Sequence, residues 1–147
     1  MVSKKETQNR VIPIKEGWFH IPESDDDQPY LIGSKCENCG FTTFPKAAAC
    51  LSCMRDDTMR EIHLGPKGKL DTFTVAMQGP PGFTTPYIQA FVNLAEGVRI
   101  FTLIEGCKPE DDALQLGQEV ELVIGKIKED EQGNEIIGWK FKPVAEQ

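Results

Sequence analysis

Four of the five cysteines stand as two Cys-x-x-Cys pairs, Cys36-Glu37-Asn38-Cys39 and Cys50-Leu51-Ser52-Cys53, with ten residues between them. Each pair is short enough to form a knuckle whose two sulfurs face one ion, and two such knuckles close a tetrahedral four-sulfur site. Gly40, directly after the first pair, suits the tight turn that a knuckle needs, because glycine tolerates positive φ. Met54 stands at the matching position of the second pair, where a glycine is expected. The first ten residues, Met1 to Arg10, are polar throughout and lack the apolar stretch of a secretory signal, which predicts a cytoplasmic protein. In a reducing compartment paired cysteines read as metal ligands and not as disulfides. The spacing predicts one zinc ion held by Cys36, Cys39, Cys50 and Cys53, with iron the chief competitor for a four-sulfur site. Four thiolates leave no open coordination position, so the ion is expected to be structural.

A chain of 147 residues has room for one ordinary domain, or for a small domain joined to a metal-stabilised appendage. No apolar run approaches the roughly 20 residues that span a bilayer, so no membrane partner is expected. The net charge of −7 is unevenly spread. Residues 35 to 55 carry three bases and one acid, whereas residues 65 to 147 carry eight bases and thirteen acids. A phosphate-neutralising protein shows a basic stripe on its binding face, so the acidic C-terminal part speaks against nucleic acid as a partner.

Organisation along the chain follows from periodicity. Residues 1 to 15 read as a flexible tail, residues 16 to 64 as an approach segment and the cysteine ribbon, and residues 65 to 147 as a second unit. In the approach segment, Trp18-Phe19 and Tyr30-Leu31-Ile32 predict two short strands joined by an acidic turn at Asp25-Asp26-Asp27, a solvated charge run with no assigned role. Beyond the ribbon, period-two alternation recurs five times: Phe73, Val75 and Met77; Ile88 to Leu94; Val98 to Ile104; Val120, Leu122 and Ile124; and Ile137, Trp139 and Phe141. The connection from Glu105 to Gln118 is longer and is expected to hold a brief helical turn at Ala113-Leu114. The prediction is a mainly β protein, a rubredoxin-like zinc ribbon followed by a five-stranded OB-type barrel, with an open sandwich as the alternative.

This order of parts resembles the thiolase-associated zinc-ribbon/OB proteins, a family that accompanies thiolase-like and acyl-CoA-handling enzymes. The residues that carry the resemblance are Cys36-Glu37-Asn38-Cys39-Gly40, Phe44-Pro45-Lys46, Cys50-Leu51-Ser52-Cys53, the strand Pro86 to Gly97, and Leu116-Gly117-Gln118-Glu119-Val120. Many members carry an amphipathic helix before the ribbon, and this chain has the acidic turn of residues 22 to 29 instead. Its approach segment is similar to that of the small subunits of benzoylsuccinyl-CoA thiolases of anaerobic toluene degradation. The resemblance implies a non-catalytic subunit of an acyl-CoA thiolase complex, a thiolase-fold catalytic partner, and CoA or acyl-CoA reaching this chain within the complex.

The residues themselves supply no catalytic constellation. A thiolase needs a nucleophilic cysteine with proton-shuttling partners. His20 and His63 lie in no recognisable motif, and Cys107 has no basic neighbour in sequence to lower its pKa. The candidate partner- or CoA-binding loop comprises Gly79, Pro80, Pro81, Gly82, Phe83, Pro86 and Tyr87, between the first two barrel strands. Its prolines limit backbone freedom while Phe83 and Tyr87 offer an apolar surface. The competing reading is a stiffened hairpin packed on its own barrel. Lys46, with Lys35 and Arg55, is a further candidate for CoA phosphates against the plainer reading of solvated lysines. Two other functions stay open: an OB-type single-strand binder, which requires a basic groove with stacking aromatics, and a rubredoxin-like electron carrier, which requires iron.

Overall fold

Alternating apolar side chains can bury one face of a strand only against another sheet, and five such strands in this chain bury theirs by closing on themselves. The computed structural model describes residues 10 to 144. Its ten strands are Val11–Pro13 (β1), Phe19–His20 (β2), Tyr30–Cys36 (β3), Thr42–Thr43 (β4), Met59–Leu64 (β5), Lys67–Ala76 (β6), Tyr87–Leu94 (β7), Arg99–Ile104 (β8), Glu119–Glu129 (β9) and Glu135–Pro143 (β10). The larger sheet runs β10-β8-β7-β6-β9 and returns to β10, a closed five-stranded barrel. The ladders of the barrel are antiparallel except β10 on β8, which is parallel. This is the OB-type barrel, in which β9 and β10 pair with each other and are not left as the end strands of the sandwich alternative.

The inward side chains follow the predicted alternation on β7 and β8, where Ile88, Ala90, Val92, Leu94, Val98, Ile100 and Ile104 are buried. Two strands depart from strict alternation. On β6 the register slips between Leu70 and Thr72, so that Leu70 is buried and Phe73 and Val75 still pack against the core. Met77 falls beyond the strand and is exposed. Along β10 Ile136 and Phe141 are buried and Ile137 and Trp139 half-buried, and its partner β9 carries a bulge at Ile127, between the pairs Ile136–Lys128 and Ile137–Lys126. The segment from 105 to 118 holds turns and no helix; the expected helical turn is a single Ala113 N–H to Glu110 carbonyl bond of 3.1 Å, and Leu114 is drawn into the core. The predicted flexible tail of residues 1 to 15 needs correction at its end. Val11–Pro13 pairs in parallel with Glu135–Ile137, because the edge of β10 offers free backbone groups there. Residues 1 to 9 lie outside the described residues.

The second sheet belongs to the ribbon, with β3 in the middle pairing β2, β4 and β5. The two strands of the approach segment are β2 and β3, with Phe19 opposite Leu31. Asp27 in the acidic turn accepts from His20 Nε2 at 2.7 Å and from the Glu23 N–H at 3.0 Å, so it closes the turn between them. Phe19, Leu31 and Leu64 of the ribbon share one continuous core with Leu70, Ile100, Val120 and Phe141 of the barrel. Trp18 stacks on Trp139 at 5.8 Å, and Phe44 meets both indoles edge-on at 5.7 and 5.2 Å. Trp139 is therefore the barrel side chain on which the ribbon rests.

Candidate metal centre and partner-facing cleft

The cysteine knuckles are built from the same three backbone contacts used twice. Gly40 N–H donates to the Cys36 carbonyl and Met54 N–H to the Cys50 carbonyl, each at 2.8 Å. Cys36 N–H donates to the Phe41 carbonyl and Cys50 N–H to the Arg55 carbonyl, again at 2.8 Å. Cys39 N–H points at Cys36 Sγ and Cys53 N–H at Cys50 Sγ, each at 3.4 Å. The turn requires a left-handed residue after each second cysteine, and Gly40 (φ 84°) and Met54 (φ 68°) supply it.

The result brings the four predicted ligands together, with all four sulfurs within 4.8 Å of one another. Cys36 and Cys53 sulfurs are 3.7 Å apart, and Cys39 and Cys50 sulfurs 3.5 Å. Zn–S bonds of about 2.3 Å put the sulfurs of a regular tetrahedron about 3.8 Å apart, so the cage fits zinc. Disulfides are excluded at these separations, since a bonded pair needs about 2.05 Å. The Thr58 hydroxyl, 3.1 Å from Cys36 Sγ, lowers that thiol to about 6. Cys39 moves the other way: the Phe41 amide favours its thiolate, but desolvation and the neighbouring sulfurs outweigh it and push the thiol up to about 11. The Asn38 side-chain amide donates to Cys53 Sγ at 3.5 Å and lowers that thiol. Four sulfurs this close ionise together only around a cation, and a closed four-thiolate cage makes that ion structural.

The predicted loop is tied to its own barrel on one side and exposed on the other. Gly82 is fixed to the barrel, its carbonyl accepting the Glu129 N–H at 3.0 Å. A Cβ at Gly82 would collide with the Glu129 carbonyl, and its φ of 93° is left-handed, so only glycine lets the loop lie there. Gly79 passes against the ring of Tyr87. Pro80, Pro81 and Pro86 are exposed, while Phe83 and Tyr87 are half-buried with their rings 5.4 Å apart. Lys46 is not part of this arrangement. It pairs with Glu61 on the ribbon at 3.2 Å.

Residues that periodicity left unassigned complete the loop's surroundings. A cleft of about 240 Å³ is lined by Phe83, Tyr87, Leu103, Lys126, Lys128 and Lys140, among others. Lys128 Nζ stands 6.0 Å over the Phe83 ring. Lys126 is bound to Glu129 at 2.6 Å and Lys140 to Glu105 at 3.2 Å. Lys128 has no carboxylate partner among the described residues. Next to this cleft, and sharing Phe83, Leu103 and Ile127 with it, lies an apolar slot of about 160 Å³ walled also by Ile14, Phe101, Thr102 and Trp139. The segment Lys126-Ile127-Lys128 in β9 was the sequence signal for these cations, two lysines flanking an apolar side chain that lines both the cleft and the slot.

Cys107 packs against the core, and desolvation pushes its thiol up, away from the nucleophilic thiolate. Cys107→Ala should leave the activity of a reconstituted complex within about three-fold of wild type, because a protonated thiol without a base supplies no nucleophile. A thousandfold loss in turnover would move the chemistry into this chain.

Comparison with known proteins gives the arrangement its relatives. Residues 25–60 match the family model described as the rubredoxin-like zinc ribbon domain of ChsH2, and residues 61–125 match that of the C-terminal OB-fold domain of ChsH2. A DUF35 domain-containing scaffold protein of Methanocaldococcus jannaschii is 40% identical, over 89% of this chain and 91% of the relative. The chain belongs to the DUF35 zinc-ribbon/OB-fold family. The benzoylsuccinyl-CoA thiolase subunit BbsA of Geobacter metallireducens is 34% identical to this DUF35 protein, covering 98% of it and 97% of BbsA. Among solved structures, a chain of the Ltp2-ChsH2(DUF35) aldolase superposes with a TM-score of 0.64 at 26% identity, over 79% of this chain and 86% of that one. The names of these relatives are thus those of a scaffold protein, a thiolase subunit and an aldolase. Among the described residues no helix is long and apolar enough to cross a membrane.

Proposed function

We propose that this DUF35 protein is the non-catalytic zinc subunit of an acyl-CoA thiolase complex in the cytoplasm, where it completes the CoA/acyl-CoA site of a thiolase-fold partner. The observation that carries this reading is the joining of a lysine-rimmed cleft to an apolar slot beneath the Gly79–Tyr87 loop. An acyl-CoA carries phosphates at one end and an apolar acyl thioester at the other, and the two halves of the site answer to those two chemistries. The full-length likeness to a benzoylsuccinyl-CoA thiolase subunit supports the finer version, thiolysis of benzoylsuccinyl-CoA to benzoyl-CoA and succinyl-CoA.

Aromatic anchors in desolvated pockets dominate interface energies. Phe83→Ala or Tyr87→Ala should each weaken the complex by about 1 to 4 kcal/mol, and should raise the KM for acyl-CoA more than they lower zinc content or Tm. Titration calorimetry against the purified catalytic subunit, with turnover measured alongside, tests this. Unchanged affinity and kinetics in both variants would mean that the loop only packs on its own barrel.

One observation favours the single-strand reading. Phe91 and Phe101 stand opposite each other on β7 and β8, 5.3 Å apart, with the Arg99 guanidinium 4.3 Å over Phe91. Stacking aromatics of this kind serve oligonucleotide binding in other OB folds. Arg99, however, is held by Asp71 at 2.6 Å in an acidic barrel, which leaves the aromatic pair without phosphate-binding cations of its own.

A further inference from the structure

The apolar slot beside the lysine cleft is assembled from several separate stretches of the chain. The rings of Phe83, Phe101 and Trp139 wall it together with the aliphatic side chains of Ile14, Leu103 and Ile127. Ile14 reaches it because its N–H donates to the Ile137 carbonyl at 2.7 Å, which extends the pairing of β1 with β10. Gly138, the next residue of β10, leaves room for that wall. A Cβ there would stand 2.8 Å from Ile14 Cγ2 and 3.2 Å from Ile127 Cγ1. Glycine weakens a strand interior and marks places where another group comes close, and here it lets Ile14 and Ile127 close over the strand.

The slot offers a ligand apolar surface and little else. The hydrogen-bonding groups in its wall are already engaged: the Trp139 indole N–H donates to the Phe101 carbonyl at 2.9 Å, and the Thr102 hydroxyl is shared between the Leu103 and Trp139 carbonyls at 3.1 and 3.4 Å. A hydroxyl or carboxylate pushed into the slot would lose its water without replacement. The volume, about 160 Å³, matches that of apolar cavities of about 150 Å³ that hold benzene. Three aromatic walls add ring-to-ring contacts that an alkyl chain does not make. Through the shared Phe83, Leu103 and Ile127 the slot opens into the cleft where Lys128 stands without a carboxylate partner among the described residues. We infer that the slot is a pocket for a single aromatic ring of the acyl group, so that this non-catalytic chain selects the acyl group of the thioester, with Ile14 setting the depth of the pocket. This deepens the proposed function and rests on it, since it presupposes that acyl-CoA reaches the site.

The test is calorimetric titration of the full zinc-loaded chain with benzoyl-, acetyl-, glycolyl- and octanoyl-CoA. Benzoyl-CoA should bind at least ten-fold tighter than acetyl- or glycolyl-CoA, and no weaker than octanoyl-CoA despite its smaller apolar surface. Leu103→Trp fills the slot from β8, where Leu103 lies between the buried Thr102 and Ile104, and should bring benzoyl-CoA within two-fold of acetyl-CoA at unchanged zinc content. Ile14→Ala should bind naphthoyl-CoA at least five-fold tighter than wild type does. Equal affinity of the wild type for benzoyl- and acetyl-CoA, or tighter binding of octanoyl-CoA, would overturn the aryl pocket and leave the subunit role intact. A benzoyl preference untouched by Leu103→Trp would place the ring elsewhere and overturn it too. So would the absence of any thioester binding at millimolar concentration, and a weakened hold of Leu103→Trp on the catalytic subunit would then give the slot to a partner side chain. A benzoyl preference in a chain that holds no catalytic subunit would support the pocket and overturn the subunit role.

Discussion

Cys50→Ser is expected to release about one equivalent of zinc per chain and to leave the ribbon open to proteases between residues 30 and 64. Cys50 is fully buried, its N–H is tied to Arg55, and its sulfur receives the Cys53 N–H, so the change removes a ligand and the anchor of a knuckle together. Structural zinc sites of this type contribute on the order of 10 kcal/mol to folding free energy, and three ligands hold only part of that. Cys36→Ser should behave in the same way, being equally enclosed, while Cys39→Ser, at the exposed side of the cage, should damage the ribbon least. Metal analysis of the purified variants, with limited proteolysis in parallel, gives the answer. Full zinc retention in Cys50→Ser would remove it from the ligand set. Iron in the wild-type protein, visible as a red colour, would instead favour the electron-carrier reading.

The second large effect is expected at Trp139. Truncation to alanine removes the stack on Trp18, the edge contacts with Phe44 and Phe19, and the indole N–H bond to the Phe101 carbonyl at 2.9 Å. Large aromatic-to-alanine changes in packed sites cost about 3 to 5 kcal/mol, and the partial exposure of Trp139 sets the expectation at about 3. Because Trp139 joins the two sheets, its loss should also separate the unfolding of ribbon and barrel. The chain has two tryptophans, and in the variant Trp18 alone reports the ribbon by its fluorescence. Urea unfolding followed by that fluorescence and by far-ultraviolet circular dichroism should give two midpoints in Trp139→Ala and one in wild type. Coincident midpoints with a loss under about 1 kcal/mol would show that the shared core of Phe19, Leu31 and Leu64 couples the sheets without the indole. Trp139 also walls the apolar slot, so the same variant should bind acyl-CoA complexes less tightly than its zinc content alone would suggest.

The metal centre was legible in the sequence because it is local. Both knuckles are five-residue turns, and the distance between sulfurs in each follows from two intervening residues and a left-handed successor. The barrel strands were legible where burial has period two without interruption, as on β7 and β8. They were less so on β6 and β9, where bulges at Asp71 and Ile127 interrupt the pairing in mid-strand. A bulge depends on the partner strand, and the alternation of one strand carries no record of it. The edge strand Val11–Pro13 was missed for a related reason: three residues show no period, and their pairing follows from the open edge that β10 presents.

The candidate binding cleft divides in the same way. Sequence singled out the Gly79–Tyr87 loop as a candidate, since prolines, glycines and aromatics between two strands are a local signal. It also favoured Lys46, which the fold carries to Glu61 on the ribbon. The cations that do flank the loop, Lys126, Lys128 and Lys140, come from β9 and β10, about forty to sixty residues further along, and arrive there because β9 pairs with β10 and the Gly82 carbonyl binds the end of β9. What the sequence by itself determined is the chemistry set by short spacings: a closed four-sulfur cage, five strands, and a stiff aromatic loop. Only the tertiary structure decided which lysines meet that loop and which indole joins ribbon to barrel, because those meetings depend on closure of the barrel, a long-range condition that no local pattern encodes.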